Sequence, residues 1–443
     1  MKGARCIWPW LLVWGLLDLL CALFCEIHAD EAYYRLYGQF LAWGYFDHPP
    51  MVGLMTALSS ALVPTTSLML KNLSVRLVTV LMHVGTVYVV WKTVKTDSLE
   101  FRGESLEKFL LVAASMPMFC AYGFLTTPDA PLLFFAALFY YAYRRYLNTS
   151  NPLTSNPLTS NTLLLGLSMA GMLYSKYMAV LVIGFAVLAN PRLLRDGKAW
   201  LAVGIAALLM LPHLWWQYSH DFPSFTYHLV SRAETYKPLY TWEFVPNQWA
   251  VFNPLVWALM IWLGIRSVRT EDVFRRTLSW TILGFQVFFF LMSFRGHVEP
   301  HWTVVTSIPA IILLTEEPTS MKGRAFIRWS LGVFAGLLLI ARIVLMLNIL
   351  PVQTGLAGKQ AQCEAIHAQA KGLPVVFDGS FQMPSLYRFF YDDQAVLVRN
   401  QYDRYTQYDL LHLERGLIGG PACVRRFGQV YITDHLGEED LHE

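Results

Sequence analysis

Between residues 26 and 50 the chain runs Glu26-Ile-His28-Ala-Asp30-Glu31-Ala-Tyr33-Tyr34-Arg35, then Leu36 to Leu41, then Ala-Trp43-Gly-Tyr45-Phe-Asp47-His48-Pro49-Pro50. This stretch is dense in groups that can take a proton from a hydroxyl or hold a polar ligand. Asp30, Tyr33, Tyr34, Tyr37, Phe40 and Leu41 recur at helical spacing. That spacing predicts an amphipathic helix at a membrane surface, with Asp30 and Glu31 in its first turn, where carboxylates are favoured. Plain helix capping by Asp30 satisfies the same spacing, so catalysis and capping both stay open. More polar groups stand at Asp129, at Lys176-Tyr177 and along Arg295-Gly-His297-Val-Glu299-Pro-His301. Asp30, Glu31, Asp47, His48, Asp129, His297, Glu299 and His301 offer oxygen and nitrogen ligands for a divalent metal ion, but no pair has a diagnostic spacing. His297 and His301 are four apart, and Pro300 between them favours a turn over a shared helix face.

The elements that must carry these groups are membrane helices. Of 443 residues, 55% are hydrophobic and only 15% charged, with a mean hydropathy of +0.40. Such a chain belongs in a bilayer rather than in water. The net charge of +3 is modest and the basic residues lie in short clusters between apolar runs, which points to topology and away from a nucleic-acid partner. Six cysteines (Cys6, Cys21, Cys25, Cys120, Cys363, Cys423) show no Cys-x-x-Cys spacing and sit mostly in apolar runs, leaving only Cys363 and Cys423 as a pair to consider.

Apolar runs of membrane-spanning length fall at about 7–24, 74–92, 108–122, 130–147, 162–175, 177–190, 199–216, 247–265, 277–294, 301–315 and 327–349, about eleven spans in all. The first follows Lys2 and Arg5 and has no small-x-small cleavage pattern before Glu26, so it is expected to stay as a helix rather than leave as a signal peptide. Asp18 within it is costly in lipid and needs a polar cavity or a partner on another helix. Basic clusters at Lys92 to Lys108, Arg144-Arg145, Arg192 to Lys198, Arg266 to Arg276 and Lys322 to Arg328 fit one alternating pattern with the N-terminus inside. Residues 25–73, the turns near 126–129 and 175–176, residues 217–246 and 295–300, and the tail are then left outside.

Residues 149–163 repeat Thr-Ser-Asn-Pro-Leu in tandem, a turn-rich linker with no evident chemistry. The segment 217–246 mixes aromatics with His220, His228, Arg232, Glu234, Tyr236 and Lys237, which suits a sugar or lipid headgroup and equally an interfacial aromatic belt. Beyond residue 350 the pattern changes. Helix-like stretches at 358–371 and 383–391 alternate with strand-like 374–378, 395–399 and 430–433, predicting a small α/β domain over 351–443 on the outer face, after a membrane domain over 1–350.

The string from Asp30 to Met51 resembles the first extracytoplasmic loop of the dolichyl-phosphate-mannose protein mannosyltransferase superfamily, whose bacterial members include the lipid A aminoarabinose transferase and rhizobial lipopolysaccharide galacturonosyltransferases. Thr126-Thr-Pro-Asp129, Leu173-Tyr-Ser-Lys176-Tyr177, Val298-Glu299-Pro-His301-Trp302 and Gln407-Tyr-Asp409-Leu are similar to further family stretches. The resemblance implies an α-helical polytopic membrane protein of GT-C fold, with surface helices in the first outer loop and a small C-terminal α/β extracytoplasmic domain. It implies a polyprenyl-phosphate-linked sugar as donor, a lipid, glycan or protein acceptor, membrane lipids as surroundings, and a bacterial inner membrane. Asp30 becomes the base, with Glu31 and Asp129 beside it. Tyr33, Tyr34, Arg35, Asp47, His48, Lys176, Tyr177, Arg295, His297, Glu299 and His301 become substrate-binding candidates. His297 and His301 replace the Lys and Asn common in other members, and relatives differ over a divalent ion, so the family leaves the metal undecided.

A glycosyl transfer from a lipid phosphate needs a base for the acceptor hydroxyl and positive charge at the departing phosphate. Asp30 suits the first requirement; Arg35, Lys176, Arg295 and His297 suit the second, or else anchor to lipid headgroups. A lipid or sugar transporter also needs polar groups among many spans, but here those groups cluster in outer loops rather than at mid-membrane.

Overall fold

The computed structural model describes residues 6–94, 102–148, 160–227, 235–317, 323–349, 358–398, 404–426 and 429–437. Most of the 149–163 repeat, together with Lys2, Arg5, His228, Arg232, Glu234 and Lys322, lies outside the described residues. Membrane helix α1 (Trp8–Phe24) turns by 90° into the surface helix α2 (Ala29–Gln39). Then come α3 (Met51–Leu62), α4 (Leu68–Thr93), α5 (Arg102–Ala114), α6 (Pro117–Ala121), α7 (Asp129–Asn148), α8 (Ser160–Ser175) and α9 (Ala179–Ala189). The bundle continues through α10 (Gly197–Ser219), α11 (Pro223–Thr226), α12 (Pro238–Phe252), α13 (Pro254–Ser267), α14 (Val273–Met292), α15 (Ser307–Glu316) and α16 (Arg324–Leu347).

All the expected apolar runs return as helix, with informative breaks. The run at 108–122 is interrupted at Ser115-Met116, just before Pro117. The run at 247–265 bends by 102° between α12 and α13. There Asn253 takes a positive φ of 62° and its side chain accepts from Val256 N at 2.8 Å, capping α13 ahead of Pro254. The run at 301–315 opens with a 3-10 turn, Pro300–Thr306. α9 has only 11 residues, about 16 Å against a hydrocarbon core of about 30 Å. By length and composition α4, α10 and α16 each qualify to cross alone, giving 3 spans, or up to 5 with the bent pairs counted. The breaks account for part of the smaller number beside the eleven runs; α7 and α14, each a continuous helix of 20 residues, also fall outside that set. The expected outer loop at 217–246 is shortened by α12, which begins at Pro238.

Charge is handled at one end and within the bundle. Arg144 pairs with Glu316, Arg275 with Glu317 and Arg328 with Glu107, while Lys108 donates to the Glu317 carbonyl at 2.6 Å. These basic clusters therefore gather at one end of the bundle. Asp18, fully buried, meets Arg342 of α16 at 2.9 Å and His83 of α4 at 2.7 Å, so its partners are two other helices and not an open cavity.

The tail is the expected α/β unit: α17 (Lys359–Ala370), β1 (Val375–Asp378), α18 (Gln382–Phe390), β2 (Ala395–Val398), α19 (Gln407–Leu411), β3 (Ala422–Arg426) and β4 (Gln429–Thr433). The sheet order is β2-β1-β3-β4, with β1 parallel to β2 and β3, and β4 antiparallel to β3. Its β3 went unread in the sequence. Cys363 and Cys423, the pair considered for a disulfide, are both free and buried. One apolar core joins α2 to this unit, through Tyr33, Leu36, Leu386, Phe389 and Tyr408.

Candidate active site

The N-terminus of α2 separates two adjacent carboxylates into different roles. His28, not Asp30, caps the helix: its Nδ1 accepts from Asp30 N at 3.2 Å, and Glu31 Oε2 accepts from His28 N at 3.0 Å. Glu31 is fully buried and chelated by Arg76, through Nε at 2.8 Å and Nη2 at 2.6 Å, and it also accepts from Thr126 N at 2.9 Å. The remaining Arg76 donors reach the Ala22, Cys25 and Glu26 carbonyls, the free end of α1. Glu31, expected beside the base, is thereby an anchor that ties α1, α2, α4 and the 126 turn together.

Asp30 points the other way. Its side chain is 39% exposed, with His28 Nδ1 3.7 Å from one carboxylate oxygen. That nitrogen already accepts from the Asp30 amide, so the contact is not a hydrogen bond. Among the described residues the Asp30 carboxylate accepts no hydrogen bond. Burial pushes its pKa above the ordinary Asp value; Asp47 and Glu31 add to the rise, while His28 and Arg404 oppose it.

A second centre forms where α7 begins and α8 ends. Lys176 Nζ sits 2.9 Å from both oxygens of Asp129, and both residues are buried. His301 Nε2 lies 3.9 Å from Asp129 and is 31% exposed. The two centres share neighbours: Asp30, Asp47 and Asp129 all act on the Tyr34 hydroxyl. Asp129, Tyr34, Asp30 and Glu299 all act on Tyr122. Asp30 and Asp129 therefore both lie near the Tyr34 and Tyr122 hydroxyls. The sequence did not single out Tyr122.

Further polar groups follow α14. Arg295 is exposed and its guanidinium is unpaired among the described residues. His297 stands 3.7 Å from Glu299 and edge-on to Tyr240 at 5.5 Å, with Lys237 over the same ring at 5.8 Å. Among the described residues no group of three His, Cys, Asp or Glu side chains is placed to hold a metal ion.

Other expected ligand residues have protein partners. Arg35 pairs with Asp393 of the tail at 3.0 Å. Asp47 accepts from Tyr33 at 2.8 Å and Tyr37 at 3.1 Å, and pairs with Arg404 of the tail. Arg35, Tyr33 and Asp47, expected to bind substrate, thus tie α2 and its loop to the tail domain. His48 lies edge-on to Tyr34 at 5.7 Å. Tyr177 bonds to His213 at 3.1 Å and Gln217 at 2.9 Å on α10, and His213 contacts the Trp43 carbonyl at 2.7 Å, so Tyr177 belongs to the network that seats the first loop.

Arg76 and Arg404 escaped the sequence reading. A signal for Arg76 existed, since a lone arginine in the apolar run of α4 demands a buried partner; Arg404 carries no local signal.

The sequence pattern of the family described as dolichyl-phosphate-mannose-protein mannosyltransferase matches residues 47–216. The lipid A galacturonosyltransferase RgtD of Rhizobium johnstonii is 25% identical over 299 residues, covering 65% of this chain and 60% of that protein, so the chain spans under two thirds of that relative's length. Among solved structures, ArnT from Cupriavidus metallidurans superposes with a TM-score of 0.65 in its apo state, at 14% identity, over 94% of this chain and 92% of that one. Its form bound to undecaprenyl phosphate gives the same TM-score at 15% identity.

Proposed function

We infer that this chain, a polytopic membrane protein of the GT-C glycosyltransferase fold, transfers a sugar from a polyprenyl phosphate to a hydroxyl of an acceptor on the outer side of a bacterial inner membrane. The observation that carries this reading is Asp30: a half-open carboxylate, free of hydrogen bonds and raised in pKa, beside a Glu31 locked to Arg76. Asp30 takes the proton of the acceptor hydroxyl as its oxygen bonds to sugar C1. The bond from C1 to the phosphate oxygen breaks on the opposite face, which inverts the anomeric centre, and the lipid phosphate leaves with the electron pair. Arg295 and Lys237 supply positive charge for that phosphate and His297 a ring nitrogen that can donate to it, with Lys176 held in place by Asp129. The donor supports its own orientation: a match to a protein solved with undecaprenyl phosphate favours a lipid-phosphate sugar here. The N-terminus is cytoplasmic and residues 351–443 form the periplasmic domain, with the basic clusters at the inner end.

The test is transfer of radiolabelled sugar from membranes loaded with polyprenyl-phosphate sugars to endogenous acceptors, comparing wild type with an equally expressed Asp30→Asn protein. Transfer lost in the variant is expected, and the labelled product identifies the acceptor. Equal transfer by both proteins removes Asp30 from the mechanism. No transfer by wild type across a broad donor panel favours a carrier.

A further inference from the structure

Tyr34 and Tyr122 break a rule that the rest of the interior keeps. Both rings are packed away, with 8% of Tyr34 and 6% of Tyr122 exposed, yet neither hydroxyl has a hydrogen-bond partner among the described residues. Every other buried tyrosine among those residues has one, as Tyr33 and Tyr37 have Asp47 and Tyr140 has Thr281. The fully enclosed side-chain groups that lack a partner include Trp14 Nε1 and Thr127 Oγ1 but neither phenol. Each phenol therefore opens onto accessible space. A buried polar group left without a protein partner calls for another one.

Position says what that partner is. Tyr34 follows Asp30 by four residues on α2, so the two side chains share one helix face, and its ring meets Tyr37 at 5.5 Å and His48 at 5.7 Å, both edge-on. Tyr122 ends α6, its ring in the bundle core and its amide donating to the Met118 carbonyl at 3.0 Å. Asp30 and Asp129 each act on both hydroxyls. A base on Asp30 places sugar C1 next to it, so the ligand group that these phenols meet is the sugar. The charged groups that act most strongly on the Tyr122 hydroxyl are acids, Asp129, Asp30 and Glu299, a setting that repels a phosphate. A sugar hydroxyl suits it, because its O–H donates to a carboxylate while its oxygen accepts from a phenol.

We propose that Tyr34 and Tyr122 are the sugar-recognition pair of this site, each hydroxyl donating a hydrogen bond to a ring hydroxyl of the transferred sugar. The inference rests on the transferase reading and deepens it. Tyr122 thereby gains a direct contact with the donor, and recognition of the sugar is separated from the cations assigned to the phosphate.

Equilibrium binding to the full-length protein in detergent, without acceptor, tests this separately from turnover. The probes are polyprenyl phosphates bearing a hexose, a hexuronate or an aminopentose, and bare polyprenyl phosphate. Wild type is expected to bind at least one sugar-bearing lipid more tightly than the bare phosphate. Tyr122→Phe and Tyr34→Phe, which remove only the hydroxyl, each weaken that lipid about fivefold and leave the bare phosphate unchanged. Tyr140→Phe, which removes a buried hydroxyl bonded to Thr281, leaves every probe unchanged. In a set of donors each lacking one ring hydroxyl, one deoxy donor loses its response to Tyr122→Phe, which identifies the partner hydroxyl. Equal weakening of sugar-bearing and bare lipids, unchanged binding in Tyr122→Phe, or no preference of wild type for any sugar-bearing lipid overturns the assignment. If the Tyr122-dependent preference stands but no acceptor receives sugar, the transferase reading falls and the sugar site survives. If transfer depends on Asp30 while Tyr122→Phe binds like wild type, the tyrosine pair alone falls.

Discussion

At the scale of the residue, two neighbouring acids differ because of what surrounds them. Asp30 acts as a base only when ionised. Burial raises its pKa, so kcat/KM is expected to fall as pH drops through a value above the roughly 3.9 of an ordinary Asp. Asp30→Asn should lower the rate by about 10²- to 10⁴-fold and abolish that acidic limb, as a pH–rate profile in detergent measures directly. Glu31→Gln is a different lesion. It leaves the fully buried Arg76 without its counter-charge, a loss of about 3–5 kcal/mol. Thermal unfolding should register it, and a protein of unchanged stability would show that Arg76 finds another partner. Asp30, Asp129 and Lys176 were legible because their residue types stand in short, recognisable strings. The division of labour between Asp30 and Glu31 was not legible, since it depends on Arg76, 45 residues further on.

At the scale of the element, the first outer loop is seated by close backbone approach. A Cβ on Gly44 would fall 2.3 Å from the Trp216 ring of α10, and one on Gly53 would fall 2.5 Å from the Tyr45 hydroxyl. Gly44→Ala should therefore displace the loop or the ring at a cost of about 1–3 kcal/mol. Weaker transfer with the Asp30 pH limb preserved is the expected signature, and full activity with unchanged stability would mean that Trp216 moves aside freely. Helix positions followed from apolar runs, but three details did not. Capping of α2 by Asp30 is open on spacing alone, because Asp is a common cap, while His28 does the work through its ring nitrogen. The bend at Asn253 needs a positive φ that the preceding apolar run does not announce. Strand β3 is short and ends in two arginines, so its pattern resembled a loop.

At the scale of the whole molecule, the outer domain and the first loop form one body. Asp393 receives Arg35 at 3.0 Å, Gln39 at 2.7 Å and Arg388 at 3.3 Å. Asp393→Asn is expected to loosen this dock and speed proteolytic cleavage of the tail while leaving the membrane bundle intact, a result that limited proteolysis reads as fragment size. On the other side, α16 is lightly packed, with 17% of its apolar window buried, and Arg342 fixes it to Asp18. Arg342→Met should leave Asp18 uncompensated within the membrane and lower the unfolding temperature. Restoring stability by adding Asp18→Asn would confirm that the cost lies in the unpaired charge.

By itself the sequence determined that this is a polytopic helical membrane protein with a small α/β tail, because apolar length and period are local properties that a bilayer reads directly. Through its resemblance to a known family it also offered Asp30, Glu31 and Asp129 as catalytic candidates and Lys176 as a substrate-binding one. Only the tertiary structure decided which carboxylate is locked and which stays open, and that Arg35, Tyr33 and Asp47 pair with the tail. Each of those outcomes depends on partners far apart in the chain, such as Asp47 with Arg404 and Asp18 with Arg342. No local pattern encodes such pairings; they arise when packing removes water and every buried charge must find a counter-charge.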